Sequence, residues 1–139
     1  MSEIVGISGS LRKGSFNAAL LRAAAELAPA GMRVDVASIR DVPLYDGDVE
    51  TERGIPDVVR ELKDRIARAD GLLLVTPEHN GSRLPVLRTL GTCPWFGPRL
   101  MVGTADRAFD AAGKLVDDRL RAQAQAFMAG FAEFVARAH

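Results

Sequence analysis

Two kinds of hydrophobic pattern alternate along the chain. Ile4-Val5-Gly6-Ile7 and Leu72-Leu73-Leu74-Val75 are continuous apolar runs, the form taken by strands covered on both faces, and they predict central strands. Met32, Val34 and Val36 instead alternate with Arg33 and Asp35. That period of two predicts a strand with one wetter side, at a sheet edge. Leu100-Met101-Val102 predicts a short last strand. Between these runs the apolar spacing becomes helical. Leu20, Leu21, Ala24, Leu27 and Ala28 form one stripe, which Ser15 or a neighbour can cap and Pro29 and Gly31 end. Pro56 opens a second helix whose Val58, Val59, Leu62, Ile66 and Ala69 share a face. A third helix places Leu120, Ala124, Phe127, Phe131, Phe134 and Val135 together, a stripe suited to the core or to a subunit interface. Strands alternating with helices predict an α/β fold with a parallel sheet.

The size of the chain changes this picture little. Its 139 residues, 47% hydrophobic and 26% charged, suit one compact domain over residues 1–139, with no repeat, low-complexity stretch or linker. Eighteen basic residues balance eighteen acidic ones, so no global field favours nucleic acid or an anionic membrane. An anion would have to be held locally. The lone Cys93 excludes an internal disulfide framework, and the lack of a CxxC or His/Cys cluster leads us to expect no metal site. Ser2 and Glu3 stand where a signal peptide would be basic, and no segment reaches the ~20 apolar residues of a membrane span. A cytoplasmic protein is expected.

Chemistry is offered by two loops. In an open parallel sheet, ligands sit beyond the carboxyl ends of the strands. The first loop reads Gly9-Ser10-Leu11-Arg12-Lys13-Gly14-Ser15-Phe16-Asn17 and runs into a helix start, where unpaired N–H groups and the positive dipole end favour an anion. Ser10, Ser15 and Asn17 offer short donors, Arg12 a planar charged one, and Gly9 and Gly14 allow close backbone approach. Neither GxxxxGK[ST] nor GxGxxG is present, so a mononucleotide-like phosphate fits best, with an ordinary strand–helix turn as the bland alternative. The second loop, Thr76-Pro77-Glu78-His79-Asn80-Gly81-Ser82, follows the other central strand. Its amides and Asn80 suit the polar edge of a planar ring, against the alternative of a plain surface turn. If the two strands are neighbours, the loops share one crevice. Tyr45-Asp46-Gly47-Asp48 makes a poor metal site and reads as a turn bordering the active site or a dimer contact. Trp95 and Phe96 read as packing residues.

These motifs, with Pro43-Leu44-Tyr45-Asp46-Gly47-Asp48, Ala69-Asp70-Gly71 and the tail Phe109-Asp110-Ala111-Ala112-Gly113-Lys114-Leu115, resemble the flavodoxin-like NAD(P)H-dependent FMN reductases. That family includes azoreductase, quinone reductase and chromate reductase members. The resemblance implies a three-layer flavodoxin-like sandwich and an FMN-dependent oxidoreductase. NADPH or NADH would reduce the flavin, which would then reduce flavin, quinone, azo or metal-oxyanion acceptors in a second step. It also implies that Ser10, Arg12, Ser15, Phe16 and Asn17 hold the phosphate and ribityl region. Pro77, Glu78, His79, Asn80 and Gly81 would line the isoalloxazine, with His79 where the family usually has tyrosine. A homodimer or homotetramer is implied, and no catalytic acid or base is named.

After Ser82 the chain departs from the family. Arg83-Leu84-Pro85-Val86-Leu87-Arg88-Thr89-Leu90-Gly91 looks like the family's later helix joined directly to Ser82, as though one βα unit of roughly 30 residues or more were missing. Leu100-Met101-Val102 would then move beside the third strand, giving a four-stranded sheet in order 2-1-3-5 by the family's strand numbering. The rival reading is a degenerate binding or scaffold domain with weak or no FMN binding. A phospho-receiver of similar topology is disfavoured, because Ser8-Gly9-Ser10 follows the first strand in place of acidic residues.

Overall fold

A computed structural model of the chain describes residues 1–76, 92–98 and 100–138. Three parallel strands, β1 (Ser2–Ser8), β2 (Met32–Ala37) and β3 (Gly71–Val75), form a sheet in the order β2-β1-β3. The register sets Ile4 against Val34 and Gly71, and Ile7 against Ala37 and Leu74. The run 4–7 is thus the central strand, and β2 is the edge its alternation predicts. At the other end of the register, Asp70 accepts the Glu3 N–H on its carboxylate at 2.8 Å, while its own N–H donates to the Glu3 carbonyl at 2.8 Å.

Five helices occur among the described residues: α1 (Phe16–Glu26), α2 (Gly47–Arg53), α3 (Asp57–Arg68), α4 (Ala105–Ala108) and α5 (Asp118–Ala138). On one sheet face, Ile4 and Leu73 pack with Leu21 and Ala24 of α1 and Met128, Phe131 and Val135 of α5. Side chains alternate across a strand, so Asp35, next to the inward Val34, points to the opposite face. There Arg65 of α3 donates to Asp35 Oδ2 from Nη2 at 2.7 Å and from Nε at 3.2 Å, tying α3 across that face. None of α3's residues is fully buried, and its Val58, Val59, Leu62 and Ile66 stripe is half-covered.

α1 lies between two apolar clusters. Its Leu21 and Ala24 face the sheet, while Ala19 and Ala23 pack with Ala108, Phe109, Leu115 and Leu120. The expected fourth strand fails here. Residues 100–102 lie in no strand, because Leu100 and Val102 find apolar cover against this second cluster instead of at the edge of β3, and Met101 is left exposed. The described sheet therefore has three strands, not four in order 2-1-3-5. Three further differences are local. Val36, at the end of β2, is exposed, where the alternation predicts burial. Residues 47–53 fold as α2, capped by Asp46, where a simple turn is expected. In α5 the fully buried Met128 belongs to the stripe, with Phe127 and Phe134 packed against it half-buried. Trp95 packs as expected, its ring 4.9 Å from Phe127 and 5.6 Å from Phe131. Phe96 is 69% exposed and is no core residue.

The closeness of α1 to the sheet has a local cause at Gly6. A Cβ there would lie 2.8 Å from Leu21 Cδ1 and 3.0 Å from Val34 Cγ1. Leu21 is fully buried, so its methyl has nowhere to retreat. Gly6→Ala should therefore destabilise the fold by about 1–3 kcal/mol, the usual cost of overpacking a filled core. Urea unfolding should show a lower midpoint at unchanged m-value; an unchanged midpoint would mean that Leu21 repacks freely.

Candidate functional site

The crevice lies at the carboxyl ends of β1 and β3. β1 ends at Ser8, paired with Val75, and the next N–H, Gly9, donates to the Val75 carbonyl at 2.7 Å. A Cβ on Gly9 would sit 3.2 Å from Thr76 Cβ, so the chain leaving β3 passes against the first loop at a position without a side chain. β1 and β3 are neighbours, as a shared crevice requires, although β3 is an edge of the described sheet, with Leu74 41% exposed, where its apolar run predicts a central strand. Pro77, Glu78, His79, Asn80 and Gly81 lie outside the described residues, as does the segment 82–91.

Within the first loop, the Ser8 hydroxyl spans Ser10, accepting its N–H and donating to its carbonyl, both at 3.3 Å. A tight turn follows, closed by the Ser15 N–H to the Arg12 carbonyl at 3.1 Å, with Gly14 at φ +72° in the third position. That backbone conformation suits glycine and strains most other residues. Ser15 is the N-cap of α1: it is 7% exposed and its Oγ accepts the Ala18 N–H at 3.3 Å. The Ala19 N–H is taken by the Ser15 carbonyl at 3.0 Å. Among the described residues the N–H groups of Phe16 and Asn17 have no acceptor, and no acidic side chain stands in the first turn of α1. A helix start with open amides and no local carboxylate attracts an anion.

The predicted site side chains are arranged differently from one another. Arg12 and Lys13 are exposed and make no ion pair among the described residues. Ser10 and Asn17 are partly buried, with no side-chain hydrogen bond among the described residues. The Ser15 hydroxyl accepts one bond and keeps its proton to donate. Phe16 turns its ring onto Phe109, centroids 6.0 Å apart and planes at 30°, which anchors the helix start, while the residue remains 45% exposed and its amide is open. One neighbour is missing from the sequence reading: Arg40, after β2, donates from Nη2 to the Leu11 carbonyl at 2.8 Å. No local pattern could have announced it, since the contact spans 29 positions.

An anion of phosphate type fits the end of this loop, because two open amides and the Ser15 hydroxyl stand at a helix N-terminus and glycine stands where the chain passes Thr76. The described residues include no group of three or more His, Cys, Asp or Glu placed to hold a metal ion. No helix among them is long and apolar enough to cross a membrane.

The acidic stretch after β2 is a helix start. Asp46 Oδ1 accepts the Asp48 N–H at 2.9 Å and the Val49 N–H at 3.4 Å. Asp48 and Glu50 in the first turn of α2 and Arg53 in the last complement its dipole, a signal legible in the sequence. Glu50, by accepting the phenol's hydrogen bond and by its charge, raises the pKa of the exposed Tyr45 above its ordinary value.

Two measurements follow. Ser15→Ala should cost about 1 kcal/mol in chemical denaturation through loss of the cap, while Ser15→Asp, which can cap equally well, should stay within a few tenths of wild type. Tyr45 is the chain's single tyrosine, so ultraviolet titration reports it alone. Its midpoint should lie above that of the unfolded chain, and Glu50→Gln should lower it. Because the folded value is the raised one, this contact's stabilisation is present below the unfolded pKa and is lost as pH rises through the folded one.

Comparison with known proteins shows the family. Residues 2–90 match the family described as NADPH-dependent FMN reductase. An NAD(P)H-dependent FMN reductase from Pseudomonas aeruginosa is 33% identical, aligned over 86% of this chain and 87% of its own. That alignment runs for 162 positions, whereas 86% of 139 residues is about 120, so about 40 of its positions have no counterpart here. A quinone reductase from Escherichia coli K12 is 49% identical over 81 residues, 58% of this chain, which spans 43% of that relative's length. The fold is that of the flavoenzyme FerB from Paracoccus denitrificans, an NAD(P)H:(acceptor) oxidoreductase, with a TM-score of 0.69 at 22% identity over 99% of this chain and 98% of that one. The chain belongs to the NADPH-dependent FMN reductase family of FMN-dependent NAD(P)H oxidoreductases.

Proposed function

We propose that this chain binds FMN between the Gly9–Asn17 loop and the segment that follows β3, and uses NADPH or NADH to reduce small oxidised acceptors. The observation that carries this reading is the open pair of amides, Phe16 and Asn17, at the acid-free start of α1 beside the β1–β3 junction. These amides, the Ser15 hydroxyl, Ser10, Asn17 and Arg12 would hold the phosphate and the adjoining ribityl chain. Pro77, Glu78, His79, Asn80 and Gly81 would line the ring. FMN, when bound, supplies the chemistry, accepting hydride from the nicotinamide and returning two electrons to the acceptor. The protein's part is to fix the phosphate and with it the position of the ring, and no side chain is assigned an acid–base step. Quinones head the acceptors, by analogy with the Escherichia coli relative, with free flavin, azo compounds and metal oxyanions beside them.

We read the protein as cytoplasmic and as a homodimer or homotetramer. The exposed Leu44, Tyr45 and Phe96 support self-association, since apolar side chains of this size are costly to leave in water. The about 40 positions without counterpart favour a second reading, a family member whose opened site binds FMN weakly or serves as a binding domain.

The deciding experiment is a visible spectrum after incubation with FMN and removal of free ligand, followed by anaerobic NADPH or NADH. Retained flavin absorbance that bleaches on addition supports the reductase. A folded protein that retains no flavin at micromolar concentrations supports the second reading. Ser15→Asp places a carboxylate where the phosphate would sit while keeping the cap, so it should remain folded and bind FMN at least about tenfold more weakly.

A further inference from the structure

The first loop is held from inside by the Ser8 and Gly14 turns; from outside, the Gly9 N–H on the Val75 carbonyl fixes its start at 2.7 Å, and Arg40 holds its middle. This residue follows β2, the strand beside β1, in a turn where its own N–H donates to the Ser38 hydroxyl at 3.1 Å and Val42 N–H reaches the Ile39 carbonyl at 3.3 Å. Its backbone is therefore fixed near the carboxyl edge of the sheet. From there Nη2 donates to the Leu11 carbonyl at 2.8 Å, next to Arg12 and the turn that leads to the Ser15 cap. The guanidinium makes no ion pair among the described residues, neighbouring Asp41 included, so its charge stays unneutralised beside the loop. A planar fork with five donors uses one of them here.

We propose that Arg40 is a positioning residue for the phosphate site: it holds the Leu11 carbonyl turned away from the loop's interior and leaves the loop's N–H groups turned towards the anion. The reasoning is electrostatic as well as geometric. A carbonyl oxygen facing the site would repel a phosphate, whereas one engaged by a cation on the outside cannot turn in without breaking a charge-assisted bond. Holding an exposed loop in its binding conformation raises affinity by removing the ordering cost from the binding step. The unpaired charge adds a longer-range, salt-sensitive attraction. This assignment rests on the FMN reading for the identity of the anion and deepens it.

The test compares FMN with riboflavin, which has the same ring and no phosphate, by quenching of flavin fluorescence on wild type, Arg40→Ala and Arg40→Lys. Arg40→Ala should weaken FMN by about three- to tenfold, the scale of one solvent-exposed charge-assisted bond, and leave riboflavin within twofold. Arg40→Lys, which keeps the charge and one reachable donor, should recover part of the loss. The FMN deficit of Arg40→Ala should shrink as salt rises. Equal weakening of both flavins would mean a merely structural role, and FMN affinity unchanged within twofold would mean none; either result overturns the proposal. If wild type binds neither flavin, the FMN reading fails. Arg40 is then judged by thermal denaturation in inorganic phosphate. A higher phosphate requirement in Arg40→Ala supports the positioning role, and equal requirements, or no response in wild type, overturn it.

Discussion

The distance between α1 and β1 governs the candidate site. Gly6 removes a side chain that would press on α1, and Leu21 fills that space against Val34 on the neighbouring strand. Once α1 lies close along the sheet, its start is fixed at the carboxyl edge and the connection from Ser8 must turn sharply to reach it. Gly9, pressed against Thr76, and Gly14, at positive φ, make that turn without side-chain conflict. Packing in the middle of the sheet thus determines where the Phe16 and Asn17 amides stand. Phe16 contributes from the far side: its ring on Phe109 joins the helix start to the second apolar cluster, so the site is braced by both halves of the core.

What the sequence disclosed follows the range of the interactions involved. β1, β3 and α1 announce themselves because their signals are local: an apolar run, a period, a capping serine followed by Ala18. The pairing of β1 with β3 could be anticipated from the alternation of strands and helices. The fate of Leu100 and Val102 could not, since three apolar residues fit a strand or a patch equally well, and the choice was made by the cover available on α1 and α4. Helix α2 had a readable signature in Asp46, Asp48, Glu50 and Arg53, which its exposed and mostly polar surface concealed from a search for apolar stripes. Met128 was hidden for the opposite reason, standing among aromatic residues that already completed the stripe. Arg40 had no local signal at all.

The two halves of the candidate flavin site differ in what supports them. The phosphate half would be built from β1, the loop, α1 and the turn after β2, all among the described residues. Its donors are largely backbone groups, which any sequence preserving the turn will present. The ring half would depend on 77–81, outside the described residues, and the alignment with the Pseudomonas aeruginosa relative holds about 40 positions without counterpart here. Should those positions fall after Ser82, as the sequence leads us to expect, the shortening would bear on access and ring environment more than on phosphate recognition.

That division matters for the chemistry. Affinity gained at the phosphate is the same whatever the redox state of the ring, so it anchors the cofactor without favouring either half-reaction. Reactivity would depend on the ring's surroundings: a hydrogen bond to its polar edge, the local polarity, and the space left for nicotinamide and acceptor in turn. A chain that keeps the anchor and opens the surroundings would lose some affinity and admit a broader set of acceptors, because fewer walls remain to reject them. The same opening would admit water and oxygen to the ring, so selectivity between acceptor and oxygen would be the property most affected.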